Sequence, residues 1–310
     1  MSVALITHPA CLEHDTGPFH PECADRLRRV LGALESLEFQ SLLREDAPLA
    51  TRAQLLRVHS EQQVDLLLGL SPPDGEVMSL DADTVVSPGS IPAALRAAGG
   101  AVHGVDAVME GWARRAFVAV RPPGHHAERQ QAMGFCLFSN AAIAARHAQA
   151  HWRVRRVAIV DFDVHHGNGT QDAVQHDADM FYASTHQSPC YPGTGAASER
   201  GVDGNVLNVP LAPGSGSAAF RAAWGDHLLP ALDAFAPGLL IVSAGFDAHR
   251  ADPLAQLRLE TADFAWITTA LCGLATRHCG GRLVSVLEGG YDLDALAASA
   301  AVHVRSLLLD

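Results

Sequence analysis

The stretch RVAIVDFDVHHGNGTQD, residues 156–172, decides how the rest of the chain is read. Arg156–Asp161 is apolar but for its ends and rich in β-branched residues, which marks a strand buried on both faces, as in a parallel sheet. Where that strand ends, Asp161, Asp163 and His165 alternate at period two, so their side chains share one face. The same plan recurs along the chain: Ala116–Arg121 runs into PPGHHAE, Leu239–Ser243 into AGFDAHRADP, and Leu283–Leu287 into EGGYD. Val3–Thr7 and Met180–Ser184 read as further strands. Helical patterns lie between them. Ala24–Leu37 places Leu27, Val30, Leu31 and Leu34 on one face, and Ile91–Glu110 follows Ser90, read as its N-cap. Asn140–Ala150 and the segments at about 218–235, 261–279 and 293–309 complete the alternation. Apolar strands separated by helices predict an α/β, doubly wound domain with long Gly/Pro-rich loops. In such sheets ligands bind beyond the carboxyl ends of the strands, and four polar clusters fall there.

Composition narrows the function classes. The chain has 48% hydrophobic and 18% charged residues, as an ordered globular protein does. A net charge of −12 and the absence of a basic stripe speak against nucleic acid as a partner. All 22 basic residues are arginine, which is read as a trace of genomic base composition. Cysteines 11, 23, 136, 190, 272 and 279 form no C-x-x-C pair, a spacing that suits free thiols in a reducing compartment. No signal peptide or membrane span is expected, so the expected location is cytoplasmic. Oligomeric state is not readable.

Asp163 and His165 present a carboxylate and an imidazole to a common point, and Asp247 brings a second carboxylate from another strand end. Two carboxylates and one histidine leave open positions on a divalent ion, as a catalytic site requires. Zinc leads, with iron(II) and cobalt(II) left open. Against this stands the plain reading that Asp163 and His165 only cap a turn. A bound metal brings the pKa of water to roughly 7 and polarises a carbonyl, which suits amide hydrolysis. The adjacent His125 and His126, after a rigid Pro-Pro-Gly turn, are candidates for the acid–base work. Tyr291, behind two glycines, is a candidate donor to a developing oxyanion.

These motifs resemble the histone deacetylase family of the arginase–deacetylase fold. The resemblance runs from HDTGPFHPECADRLRRV through LDADTVVSPGS, RPPGHHAERQQAMGFCLFSN, VDFDVHHGNGTQD, YPGTG and SAGFDAHRADPL to LEGGYD, and is nearest the class II and bacterial deacetylase-like amidohydrolases. It implies one deacetylase-like catalytic domain over residues 1–310, with a central, mostly parallel eight-stranded sheet flanked by helices and long active-site loops. It implies Asp163, His165 and Asp247 as zinc ligands and His126 as general base and then acid. His125 is its electrostatic partner, oriented by Asp161, and Tyr291 is the oxyanion donor. Asn168 stands where some members carry Asp; a neutral amide stabilises an imidazolium less, which leaves His126 readier to begin as a base. Asp161 with Ser184 resembles a structural potassium site. Gly134, Phe135, Tyr191 and Gly289 resemble the walls of an acyl-lysine channel. Leu254 stands where polyamine deacetylases of the family place a Glu, which favours acetylated lysine or a small acyl amide as substrate over an acetylpolyamine. Arg26 is read either as facing an inner cavity or as a salt-bridging helix residue.

Two readings of other classes compete. One is a non-catalytic acyl-lysine binding protein, against which Tyr291 and the His pair count. The other is a two-metal amidinohydrolase of the arginase branch, against which Gly167, in the place of a further Asp ligand, counts.

Overall fold

The computed structural model describes residues 2–309. Its strands are β1 (Val3–Thr7), β2 (Leu43–Asp46), β3 (Met78–Ser79), β4 (Val85–Val86), β5 (Arg115–Val118), β6 (Val157–Asp161), β7 (Met180–Gln187), β8 (Val206–Leu211), β9 (Leu239–Ala244) and β10 (Leu283–Leu287). Eight of them form one sheet in the order β2-β1-β5-β10-β9-β6-β7-β8, and every neighbouring pair is parallel. Strands β3 and β4 form a separate antiparallel ribbon.

Period-two alternation explains how the sheet takes a helical layer on each face. On β5 and β10, Ala116, Val118 and Val284 point to Gly104 in the helix Ser90–Glu110. Phe117 and Ser285 point the other way, to His303 in the helix Leu293–Leu308: the rings of Phe117 and His303 lie 5.5 Å apart, and Ser285 Oγ is 2.8 Å from His303 Nε2. Asn140–Trp152 packs beside Ser90–Glu110, while Ala24–Ala33 and Thr261–His278 pack beside Leu293–Leu308. Residues of β5, β6, β9 and β10 are all buried, as the apolar runs require. Because these four middle strands are parallel, their carboxyl ends open on one edge, and the four polar clusters meet there.

Several expectations shift at element ends. The helix from Ala24 stops at Ala33 rather than Leu37, and a separate 3₁₀ turn, Leu37–Phe39, follows Ser36. Ser90 is the first residue of its helix and not its cap: Gly89 holds the cap position, and Ser90 Oγ instead accepts from Ser87 N (2.7 Å) and meets His14 Nδ1 (2.7 Å). The strand expected over Ala116–Arg121 runs from Arg115 to Val118, because beyond the Ala119 N bond to Ile6 O the chain leaves the ladder for Pro122 and Pro123. The segment at 218–235 holds two helices around a π-helical turn, Ala223–Leu228. None of the six cysteines forms a disulfide among the described residues. Among the described residues no helix is long and apolar enough to cross a membrane.

Candidate active site and metal centre

Strand β6 delivers Asp161 in its last position, and the chain then carries Asp163 and His165 onto the rim. From the neighbouring β9, Asp247 arrives two residues past a glycine. His165 Nδ1 lies 3.1 Å from Asp163 Oδ1 and 3.1 Å from Asp247 Oδ2. One ligand atom from each of the three falls within 4.8 Å of the others, and all three residues are buried. Backbone N–H groups fix the carboxylates: Val164 N donates to Asp247 Oδ1 (2.8 Å), His165 N to Asp163 Oδ1 (2.9 Å) and Gly289 N to Asp163 Oδ2 (2.8 Å). Gly289 is required by this close approach, since a Cβ there would stand 2.1 Å from Asp247 Oδ2 and 2.5 Å from Asp163 Oδ2. It therefore lies against the carboxylates rather than along the cavity wall.

The donor set fits a divalent cation. No guanidinium bonds to Asp163 or Asp247 among the described residues; His165 stands between the two carboxylates, and His125 approaches Asp163 alone. Burial and the Asp163 charge push Asp247 up to about 7. Buried negative charge left this short of partners is costly unless a cation completes it.

The loop after β5 adds the histidine pair. Their rings lie 3.9 Å apart, but their environments differ. His125 Nδ1 is 3.1 Å from Asp161 Oδ2, and its Nε2 is 3.8 Å from Asp163 Oδ1. Burial opposes its positive charge, yet Asp163 and Asp161 outweigh burial and hold the imidazole up to about 10. His126 Nδ1 is 2.8 Å from Asn168 Oδ1. Asn168 Nδ2 is committed to Glu128 Oε1 (2.6 Å), which turns the amide oxygen towards His126 and assigns the proton to Nδ1. Burial, together with His125 and His165, pushes His126 well below the usual histidine range. The pair is thus one cationic ring beside one neutral ring, with His126 Nε2 unprotonated.

After β10 comes Glu288, which the sequence analysis passed over. Its Oε2 accepts from Gly124 N (2.6 Å) and His125 N (3.2 Å), and its Oε1 from Ser243 Oγ (3.1 Å). It pins the turn that carries both histidines, and burial pushes its carboxyl up to about 7 against the pull of His125. Tyr291 follows. Asp252, also passed over, accepts from Tyr291 N (2.7 Å) and Leu254 N (2.9 Å), so one carboxylate ties two rim residues together. Burial pushes the Tyr291 hydroxyl well above its usual range despite nearby Arg26, which keeps it protonated and able to donate. Arg26 follows its salt-bridging reading. It is fully buried, pairs with Glu22 (2.9 Å), donates to Gly290 O (2.6 Å), and lays its guanidinium 4.8 Å from the Tyr291 ring centre.

A cavity of about 200 Å³ stands over this floor, lined by His126, His165, Tyr291, Gly134, Phe135, Tyr191, Leu254 and Asp83. The structure therefore brings Gly134, Phe135, Tyr191 and Leu254 to one cavity, as expected, and adds Asp83. Tyr191 meets His126 edge-on at 5.1 Å, and Phe135 meets Tyr291 at 5.9 Å. Asp161 and Ser184 are register partners on β6 and β7. Ser184 Oγ also meets His186 Nδ1 (2.9 Å), and Tyr182 OH donates to Asp161 Oδ2 (3.1 Å). At Gly167 a Cβ would stand 2.4 Å from Asp161 Oδ2 and 2.7 Å from Tyr182 OH, so no larger side chain fits there without displacing them. Tyr182 carried no sequence signal, since it matters only through a partner distant in the chain. Glu128, Glu288 and Asp252 had one: all three stand in motifs at strand ends.

Comparison with known proteins agrees with this geometry. Residues 20–307 match the histone deacetylase domain model. The histone deacetylase-like amidohydrolase of Pseudomonas aeruginosa is 43% identical over 92% of this chain and 74% of its own length. Histone deacetylase 14, chloroplastic, of Arabidopsis thaliana is 40% identical over 93% of this chain and 73% of its own length. The crystal structure of the HDA15 HD domain superposes with a TM-score of 0.92 at 37% identity, covering 99% of this chain and 89% of that one. With the motifs, the parallel eight-stranded sheet and the converging rim in place, the chain belongs to the histone deacetylase family.

Proposed function

We propose that this protein is a metal-dependent deacetylase that hydrolyses acetylated lysine side chains, or a related small acyl amide, to the free amine and acetate. The observation that carries this reading is the convergence of Asp163, His165 and Asp247 at the floor of a cavity that also presents His126 and Tyr291. These three residues would hold zinc, with iron(II) or cobalt(II) as substitutes. Such an ion supplies Lewis acidity for the carbonyl and acidity for water.

The chain's own groups account for the rest. His126, neutral and with Nε2 free, accepts the proton of the attacking water and returns it to the departing amine. His125, held cationic by Asp163 and Asp161, stays out of the proton transfer and offsets the negative charge of the intermediate. Tyr291 donates a hydrogen bond from its hydroxyl to the oxyanion. Gly134, Phe135 and Tyr191 exclude water from the stem of the acyl amine. A structural potassium ion beside Asp161 and Ser184 belongs to the same reading, and a higher melting temperature in potassium than in sodium chloride would test it.

Leu254 offers no charge to a second ammonium, which favours acyl-lysine. Asp83 places one carboxylate on the cavity wall, and this supports an acetylated polyamine as the second substrate class. The test is acetate release by zinc-loaded protein from an acetyl-lysine peptide and from acetylated polyamines. Chelation should abolish release, and the peptide should have the larger kcat/KM. Binding of the peptide without acetate release would favour a non-catalytic binder, and faster release from polyamine would reverse the substrate order.

A further inference from the structure

A second concavity, of about 390 Å³, shares no lining residue with the catalytic cavity. It opens between the turn after the helix Arg52–Leu55, the segment following His126, and the helices Asn140–Trp152 and Asn168–Val174. Three guanidiniums line it, those of Arg57, Arg129 and Arg146, with His176 beside them and Asp172 as the sole carboxylate. That concentration runs against the bulk of a chain with 34 acidic and 22 basic residues.

Several surface arginines elsewhere pair with carboxylates, as Arg28 does with Asp25, Arg52 with Glu61 and Asp65, and Arg155 with Asp179. Arg57 and Arg129 have no carboxylate partner among the described residues. Arg57 Nη1 is 2.8 Å from His147 Nδ1, whose other nitrogen is 2.6 Å from Asp106. Arg129 uses its backbone N–H, and not its guanidinium, to hold Asp172 Oδ2 (3.1 Å), so Asp172 forms no ion pair with that side chain. Only Arg146 is paired, to Asp177, and its Nη2 donates to Ala173 O (2.6 Å).

We propose that this concavity binds a small polyvalent anion of the phosphate class, gripped by the Arg57 and Arg129 guanidiniums with Arg146 behind them. Planar guanidinium forks match the oxygens of a phosphate two at a time, which spherical halide ions cannot exploit. The place also has a connection to the catalytic pair. Arg129 directly follows Glu128, the carboxylate that orients Asn168. Asp172 lies one turn beyond Asn168 on the same helix.

The experiment is calorimetric titration of the metal-loaded protein with inorganic pyrophosphate, inorganic phosphate and ATP, at ionic strength matched with sodium chloride. Saturable one-to-one binding of pyrophosphate is expected, weakened at least tenfold by Arg129→Ala and by Arg57→Ala and unchanged by Arg155→Ala. Arg129 is exposed and bonds through its backbone, so its variant tests binding without disturbing the fold. Tighter binding of ATP than of pyrophosphate assigns the anion to a nucleotide, and the reverse order assigns it to free phosphates. Heats of dilution alone would overturn the site. So would binding that survives both arginine variants but disappears in Asp247→Ala, which locates the anion at the metal, or an equal loss in Arg155→Ala, which reveals general screening.

Discussion

At the carboxyl ends of the central strands, Asp161, Asp163, Asp247 and Glu288 are buried with histidines and backbone N–H groups as their main partners. At the amino ends the buried charge has the opposite sign and a different kind of partner. Arg115, the first residue of β5, is fully buried and donates to Leu307 O (2.7 Å) and Leu309 O (2.6 Å) at the end of the last helix. Neutral carbonyls at a helix C-terminus hold this guanidinium through Nη1 and suit its positive charge, while its Nε has no partner among the described residues. The amino end is therefore a structural joint, whereas the carboxyl end gathers carboxylates and a histidine in a donor set that could hold a cation. Activity should be concentrated at one end of the sheet and stability at the other.

The largest test of that contrast is His126→Ala, which should lower kcat by about 10²–10⁴-fold, as loss of a general acid–base group does, with an unchanged thermal midpoint. A large drop in the midpoint would mean that the rim is structural as well. Tyr291→Phe should cost about 10²–10³-fold in kcat, because it removes one oxyanion donor and keeps the ring beneath Arg26. A change confined to KM would assign the hydroxyl to substrate binding instead.

Asn168→Asp should act mainly on the pH profile. His126 is held below its usual range, so the acid limb of kcat/KM should lie below the ordinary histidine pKa of about 6.5. A carboxylate in place of the amide favours the imidazolium, raises that pKa and moves the limb to higher pH. A limb that stays in place would remove His126 as the titrating base. Arg115→Ala should have the smallest kinetic effect. Losing charged hydrogen bonds at a buried joint should cost about 2–3 kcal/mol of stability, read as a lower denaturant midpoint, while kcat/KM per folded molecule holds. A matching loss of activity would show that the two ends are coupled.

Much of the candidate site was legible because most of its residues stand in motifs at strand ends. Asp161, Asp163 and His165 follow from period two at a strand end, and His125–His126 and Tyr291 stand at fixed offsets from other strand ends. The edge strands were not legible. Strand β2, LRED, is exposed along its whole length, and β8 contains a proline, so neither shows the apolar run that betrays a central strand. Helix ends were misplaced for a related reason: Ser90 looked like a cap, but a contact with His14, far away in the chain, claims its hydroxyl.

The chain's sequence alone determined the class of fold, the order of the rim loops and the candidate metal-ligand set, because backbone periodicity and the motifs at strand ends carry those directly. The tertiary structure decided how each group is tuned. Two adjacent histidines receive opposite charge states because Asp161 reaches one and Asn168 reaches the other. Asn168 is itself turned by Glu128, and the histidine turn is pinned by Glu288 from more than 160 positions away. Proton affinity depends on burial and on charges within a few ångströms, and only the folded chain sets those distances.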